Sequence, residues 1–273
     1  MSLAFIARKI LPAPVFSWLK MKRLKRQFSQ FEKYVVEREF AGYPIKIEIG
    51  DPVAKHWYDL GNQDADDVKI LLKGQLKKGS TVFDIGAHQA VVALSFAFAV
   101  GENGKVIAVE AGAENARAGL RNIELNNAAN TTMLHAAGAA ESGVLRYEYA
   151  EGAMAKHDGK LGAFEVRAVS VDELTELYGR PSSILIDVEG FEVEVLKGAS
   201  KTLELRPDFI VEVHVNVGLE KFGGSVSQVI SYFPSAEYDL FFMEKGELIP
   251  FSPESPRAES RFYIVAFAKN PLP

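Results

Sequence analysis

The segment Val82-Phe83-Asp84-Ile85-Gly86-Ala87-His88, followed by Val106-Ile107-Ala108-Val109-Glu110, most constrains how this chain folds. A short apolar strand ends in a turn with a single glycine. An almost wholly apolar helix over residues 90–100 follows, and a second strand ends on an acid. Short buried strands alternating with helices are the pattern of a mostly parallel sheet covered on both faces, an α/β doubly wound fold. In such a sheet, ligands sit beyond the carboxyl ends of the strands, where the strand order reverses. Four groups fall there: Asp84-Ile85-Gly86, Glu110, Asp187-Val188-Glu189-Gly190 and Glu212-Val213-His214.

The pattern continues along the chain. Strands are predicted at 81–83, 106–109, 132–135, 144–149, 184–186 and 209–213, with an antiparallel terminal pair at 238–243 and 262–266. Helices are predicted at 67–76, 114–126, 171–178, 193–203 and 226–233. Ser170 with Glu173 fits a helix-capping box. Pro44–Ile49 alternates and reads as an exposed strand, residues 151–161 as an aperiodic surface excursion, and 253–256 as loop.

The first turn lacks the G-x-G-x-x-G spacing that brings backbone against a pyrophosphate. It offers Gly86 alone, with Asp84 beside it, His88 and Ala90. A carboxylate there repels pyrophosphate but suits a cofactor with a cationic amino-acid end, as in S-adenosylmethionine. Glu110 is placed to accept hydrogen bonds from ribose hydroxyls. Asp84, Gly86, Ala87, His88, Glu110 and Asp187 are therefore candidate cofactor residues, with Asn115 and His135 as candidates on the adenine side. Asp187, His214, Glu189 and Glu212 form the candidate catalytic group. Asp187 or His214 is the proton acceptor, and the two glutamates orient a hydroxyl or the catalytic group. A carboxylate-bound Mg²⁺ that lowers the hydroxyl pKa is the alternative, although no ligand spacing fixes a metal. His56, beside Trp57 and Tyr58, belongs to the pocket rim or to ordinary packing. His157 is expected to be exposed.

These segments together resemble the FkbM-type methyltransferases of the class I S-adenosylmethionine-dependent fold. The resemblance rests on Asp84-Ile85-Gly86-Ala87-His88, Ala108-Val109-Glu110, Ile186-Asp187-Val188-Glu189-Gly190-Phe191-Glu192, Leu196-Lys197-Gly198-Ala199 and Val211-Glu212-Val213-His214. Asn122 and Asn126-Asn127 match as well, and the likeness covers roughly residues 42–268. It implies a Rossmann-like, mostly parallel sheet of seven strands and methylation of an oxygen, commonly a hydroxyl of a sugar or secondary metabolite. His88 stands where the family usually has Asn, Ala90 where it has Gly, Ala111-Gly112 where it has Pro-Asn, and Ile186 where it has Lys. A non-catalytic or repurposed cofactor-binding member and a nucleotide-dependent oxidoreductase are the alternative functions.

Composition sets the remaining bounds. The 273 residues carry a net charge of −5, which gives no overall attraction to nucleic acid. The absence of cysteine excludes disulfides, thiolate nucleophiles and cysteine-bound metals, and fits a cytoplasmic protein. Residues 1–30 differ, with Arg8, Lys9, Lys20, Lys22, Arg23, Lys25 and Arg26 and no acid. Their apolar stretches, broken by Pro12 and Pro14, are too short to span a bilayer. Residues 1–40 are predicted to form a basic, amphipathic helical extension of a methyltransferase domain at 41–273. That extension packs on its own domain or a second subunit of a homodimer, or makes peripheral membrane contact through residues 1–30. The expected partner is a small molecule or saccharide, not nucleic acid.

Overall fold

In a computed structural model the backbone is described for residues 30–61, 66–150, 153–156, 164–244, 246–252 and 261–270. The readings that concern residues 1–29, His157 and the 253–256 loop lie outside these. Among the described residues no helix is long and apolar enough to cross a membrane.

The described chain opens with a hairpin of β1 (Tyr34–Phe40) and β2 (Tyr43–Ile49). Residues 34–40, assigned above to a helical extension, are thus a strand. Nor is the strand at 44–49 simply exposed. Ile45, Ile47 and Ile49 are fully buried, so its alternation marks one face on the core and one in water. A π-helical turn at Lys55–Asp59 follows. Asp51 caps its approach, and Asp59 is tied back to β1 by Tyr34 and Arg38.

The rest builds two sheets. Helix α1 (Asp66–Leu71) precedes β3 (Thr81–Ile85), α2 (Val91–Val100), β4 (Lys105–Glu110), α3 (Ala113–Leu125) and β5 (Thr131–His135). Next come β6 (Ala137–Gly138), β7 (Gly143–Ala150), β8 (Ala153–Lys156) and β9 (Phe164–Val169). The chain continues through α4 (Val171–Tyr178), β10 (Ser183–Ile186), α5 (Glu192–Lys197), α6 (Ser200–Glu204) and β11 (Asp208–Val213). It closes with α7 (Val226–Ser231), β12 (Tyr238–Glu244), β13 (Glu247–Pro250) and β14 (Phe262–Ala268).

The main sheet has the order β13-β12-β14-β11-β10-β3-β4-β5, parallel from β11 to β5 and antiparallel beyond. It has eight strands, not seven. The extra one is β13, a short edge strand with mostly exposed residues that carries no alternating apolar signal. The stretch read as an aperiodic excursion contributes β8 to a second sheet, β6-β9-β7-β8. The helix predicted over 193–203 is two helices, interrupted at Gly198-Ala199. Ser170 does cap α4, accepting from the Glu173 backbone N–H at 3.0 Å.

One core cluster lies on each face of the main sheet. Helix α2 is apolar all round because it is covered twice, by the sheet below and by the β1–β2 hairpin above, where Tyr43 stacks on Phe98. The free edge of β2 is closed by asparagines of α3. Asn126 accepts from Lys46 N–H and donates to Lys46 C=O, and Asn122 accepts from Glu48 N–H and donates to Gln89 C=O. A side-chain amide reproduces a strand's donor and acceptor, so the edge is satisfied without another strand.

Ala90, which leads into α2, is held in the left-handed region at φ +61°. It faces Gly119 of α3, where an added Cβ would stand 3.2 Å from the Ala90 methyl and 2.9 Å from the flexible end of Met133. The alanine–glycine pair is thus inverted relative to backbone preference. Left-handed backbone costs a non-glycine residue ~1–2 kcal/mol, and glycine inside a helix costs ~1 kcal/mol against alanine. The double variant Ala90→Gly/Gly119→Ala is expected to raise the free energy of urea unfolding by about 1–2 kcal/mol. The single change Gly119→Ala gains less, because it crowds Ala90.

Candidate active site

The switch point of the sheet lies between β3 and β10, since the chain runs from β3 outward to β5 and then crosses to β10 and β11. An open cleft of about 660 Å³ including its mouth sits at these strand ends. It is lined by Glu110, Gly112, Asn115 and Ala136–Gly138, by Gly86, His88 and Trp57, and by Asp187, Val188 and Glu189.

Two glycine contacts set this geometry. Gly86 has φ +98°, and a Cβ there would lie 1.7 Å from the Asp187 carbonyl oxygen. The glycine is needed for the turns after β3 and β10 to touch, rather than for approach to a ligand alone. Gly190, at φ +109°, meets Gly218, where a Cβ would come within 2.3 Å of backbone. That crossing seats the turn after β11 under the turn after β10.

Glu110 is 9% exposed at the end of β4. One carboxylate oxygen accepts the His88 backbone N–H at 2.9 Å; the other accepts the Gly112 N–H at 2.7 Å and the Asn115 amide at 3.4 Å. Burial raises its pKa above the usual carboxylate value, against the opposing pull of those donors. Asp84 and Ala87 stand behind the cleft. They are 1% and 6% exposed and do not line it. His135 is exposed, its Nε2 within 3.1 Å of the Ala111 carbonyl, and is also not part of the lining. His56 is exposed, whereas its neighbour Trp57 lines the cleft.

His88 lies at φ +47°, in the left-handed region that His, like Asn, enters more readily than most residues. Its ring centroid is 5.0 Å from that of Trp57, and its Nδ1 is 2.7 Å from the Tyr58 hydroxyl. Burial pulls the His88 pKa down to about 4, only partly opposed by Asp51, so the ring is neutral near pH 7. Burial, with Glu110, Asp84 and Asp187 nearby, keeps the Tyr58 phenol protonated and able to donate to Nδ1.

The predicted catalytic group is brought together in part. Asp187 and Glu189 line the cleft, each with a side chain 39% exposed. His214 lies beneath them, 1% exposed, its Nε2 3.7 Å from Asp187 and 3.4 Å from Glu189. Glu212 is buried outside the cleft lining, accepting from the Tyr263 hydroxyl at 3.1 Å, with the Arg261 guanidinium at 3.5 Å. One ligand atom from each of Asp187, Glu212 and His214 lies within 4.8 Å of the others, a spacing that admits a metal ion.

Glu192 was not singled out from the sequence. It is fully buried, and one oxygen accepts the Gly190 backbone N–H at 2.8 Å and meets His214 Nδ1 at 2.7 Å. The second glutamate of the D-V-E-G-F-E run was its only visible signal. Burial lowers the proton affinity of His214, but the Glu192 hydrogen bond and the charges of Glu192, Glu212 and Glu189 outweigh it. The net pKa stands above the ordinary histidine value.

The depressed His88 pKa has a consequence for stability. Below about 6.5 the unfolded chain takes up a proton at this histidine, whereas the folded chain does not until about 4. Stability should therefore fall as pH drops through that window. The variant His88→Asn, whose side chain tolerates the left-handed turn, is expected to flatten this fall. Urea unfolding at pH 7, 5.5 and 4.5 checks it; an unchanged slope would show that His88 contributes nothing.

Residues 84–240 match the model of the methyltransferase FkbM domain. A 58-residue segment is 40% identical to the hexuronic acid methyltransferase AglP of Haloferax volcanii, spanning 20% of this chain and 24% of that protein. The methyltransferase FkbM of Methylobacillus flagellatus is 16% identical, with a TM-score of 0.46 over 69% of this chain and 43% of that one. A SAM-dependent O-methyltransferase of Thermotoga maritima is 12% identical, with a TM-score of 0.46 over 90% of this chain and 82% of that one. With the family model covering more than half of its length, this chain belongs to the FkbM methyltransferase family.

Proposed function

We propose that this chain is an S-adenosylmethionine-dependent methyltransferase that methylates a hydroxyl oxygen of a sugar or secondary metabolite. The observation that carries the reading is charge. Among the described residues the cleft lining holds three carboxylates, Glu110, Asp187 and Glu189, and neither lysine nor arginine. His88 adds no positive charge. A pyrophosphate would meet like charge there, whereas an ammonium and a sulfonium meet opposite charge, and partial burial strengthens the effect. This argues against the oxidoreductase alternative.

When bound, the cofactor supplies an electrophilic methyl group open to in-line displacement by oxygen. The residues of the chain provide the rest. Glu110 is held in place by the backbone of the turns at 88 and 112 and by Asn115, and its remaining lone-pair site is available to a ribose hydroxyl. Asp187 and Glu189 orient the acceptor hydroxyl. Its proton passes to Asp187 or to neutral His214 at Nε2, which Glu192 orients from the other side. Trp57 is 42% exposed at the rim and offers an apolar face on which a sugar ring can stack. The short similarity to a hexuronic acid methyltransferase favours a saccharide acceptor.

Isothermal titration with S-adenosylhomocysteine and, separately, NAD tests this reading. Binding of the former alone is expected. Loss of charged hydrogen bonds worth ~1.5–3 kcal/mol predicts that Glu110→Ala weakens it about 10- to 100-fold. NAD binding in place of S-adenosylhomocysteine, or unchanged affinity in the folded Glu110→Ala protein, would overturn it. Transfer of labelled methyl to a panel of hexuronides and methyl glycosides then identifies the acceptor.

A further inference from the structure

We propose that Asp187, Glu212 and His214 form a binding site for one divalent cation of the type that accepts mixed carboxylate and imidazole ligands, represented by Mn²⁺. The cation's task in activating a hydroxyl rests on the methyl-transfer reading. Its binding does not.

The first argument is His214 itself. Its side chain is 1% exposed, and Nε2 has no hydrogen-bond partner although Glu189 and Asp187 oxygens lie 3.4 and 3.7 Å away. A buried ring nitrogen left unsatisfied is costly and demands a reason. Nε2 is aimed into the gap where one oxygen each of Asp187 and Glu212 also falls, all three ligand atoms lying within 4.8 Å of one another.

The second argument is the support behind the ligands. A metal-binding imidazole nearly always has its other nitrogen held by a carboxylate or carbonyl, which fixes both tautomer and ring orientation. Here Glu192 holds Nδ1 at 2.7 Å and is itself anchored by the Gly190 N–H. Glu212 is steadied in the same manner by the Tyr263 hydroxyl. A carboxylate has about four lone-pair sites, so these contacts leave Glu212 able to ligate.

Charge and access give the third. Glu189, Glu192, Glu212 and Asp187 surround a single imidazole, and among the described residues Arg261 is the one guanidinium paired with the group. That excess of negative charge favours a divalent cation. Asp187 opens to the cleft, so the positions not filled by protein are available to water or to an acceptor hydroxyl. An imidazole beside two carboxylates suits Mn²⁺ or Zn²⁺ better than Mg²⁺, which prefers an all-oxygen shell.

The test uses the full-length protein, stripped with chelator and titrated with Mn²⁺ while free Mn²⁺ is followed by electron paramagnetic resonance. One equivalent per chain is expected to bind. Glu212→Gln and Asp187→Asn should each weaken binding at least tenfold while keeping a cooperative thermal transition. Paramagnetic broadening should reach the His214 ring resonances before those of the exposed His56 and His135. Absence of stoichiometric binding overturns the proposal, as does undiminished affinity in both variants or broadening confined to the exposed histidines. A parallel titration of stripped protein with S-adenosylhomocysteine separates the two readings. Binding of that ligand without any Mn²⁺ uptake removes the cation site alone. Mn²⁺ uptake at these residues without S-adenosylhomocysteine binding leaves the site standing and removes the methyl-transfer reading.

Discussion

The close approach of the turns after β3 and β10 is the constraint on which the site depends. At Gly86 the chain passes so near the Asp187 carbonyl that no side chain fits between them. That contact joins the two halves of the sheet at the point where strand order reverses. It brings Glu110, Asp187 and Glu189 to one cleft. The Gly190–Gly218 crossing repeats the device one strand further on and brings His214 close to Asp187 and Glu189. The acids that define the cleft are therefore positioned by backbone packing, and their side chains need little adjustment of their own.

Electrostatics then follows from burial. Glu110 is desolvated, which by itself favours the neutral acid, and the backbone donors of the turns at 88 and 112 work in the opposite direction. The result is a carboxylate fixed in orientation. His88 and His214 show how environment separates two identical side chains. His88 lies among aromatic rings and is driven neutral. His214, almost fully buried, is surrounded by carboxylates and holds its proton more tightly than a free histidine. Neither state is visible in the residue's identity.

The turn at 86–90 also carries backbone strain. His88 and Ala90 both occupy left-handed conformations, at the two positions where the resemblance implies Asn and Gly. Gly enters this region freely, and Asn and His do so more readily than most residues. The cost of the turn therefore falls chiefly on Ala90. For Ala90 the accommodation is local, since its methyl fills the space left by Gly119.

Much of this was legible in the sequence. The strands at 81–85, 105–110, 183–186 and 208–213 are runs of mostly buried, mostly apolar residues, and such runs need only the hydrophobic effect to be recognised. The glycine turn and the acid at 110 marked the strand ends. Segments without apolar periodicity escaped notice, such as β8 and the edge strand β13, because their pairing comes from neighbours distant along the chain. The burial of one face of the hairpin and the withdrawal of Asp84, Ala87 and His135 from the cleft lining were likewise decided only in three dimensions. So was Glu192, whose partner His214 lies 22 residues away and meets it through the Gly190–Gly218 crossing. The sequence by itself determined the α/β class, the positions of the strand ends and the acidic character of the site. Tertiary structure alone decided which acids share one cleft and which histidine holds its proton more tightly, because distance and desolvation exist only once the chain has packed.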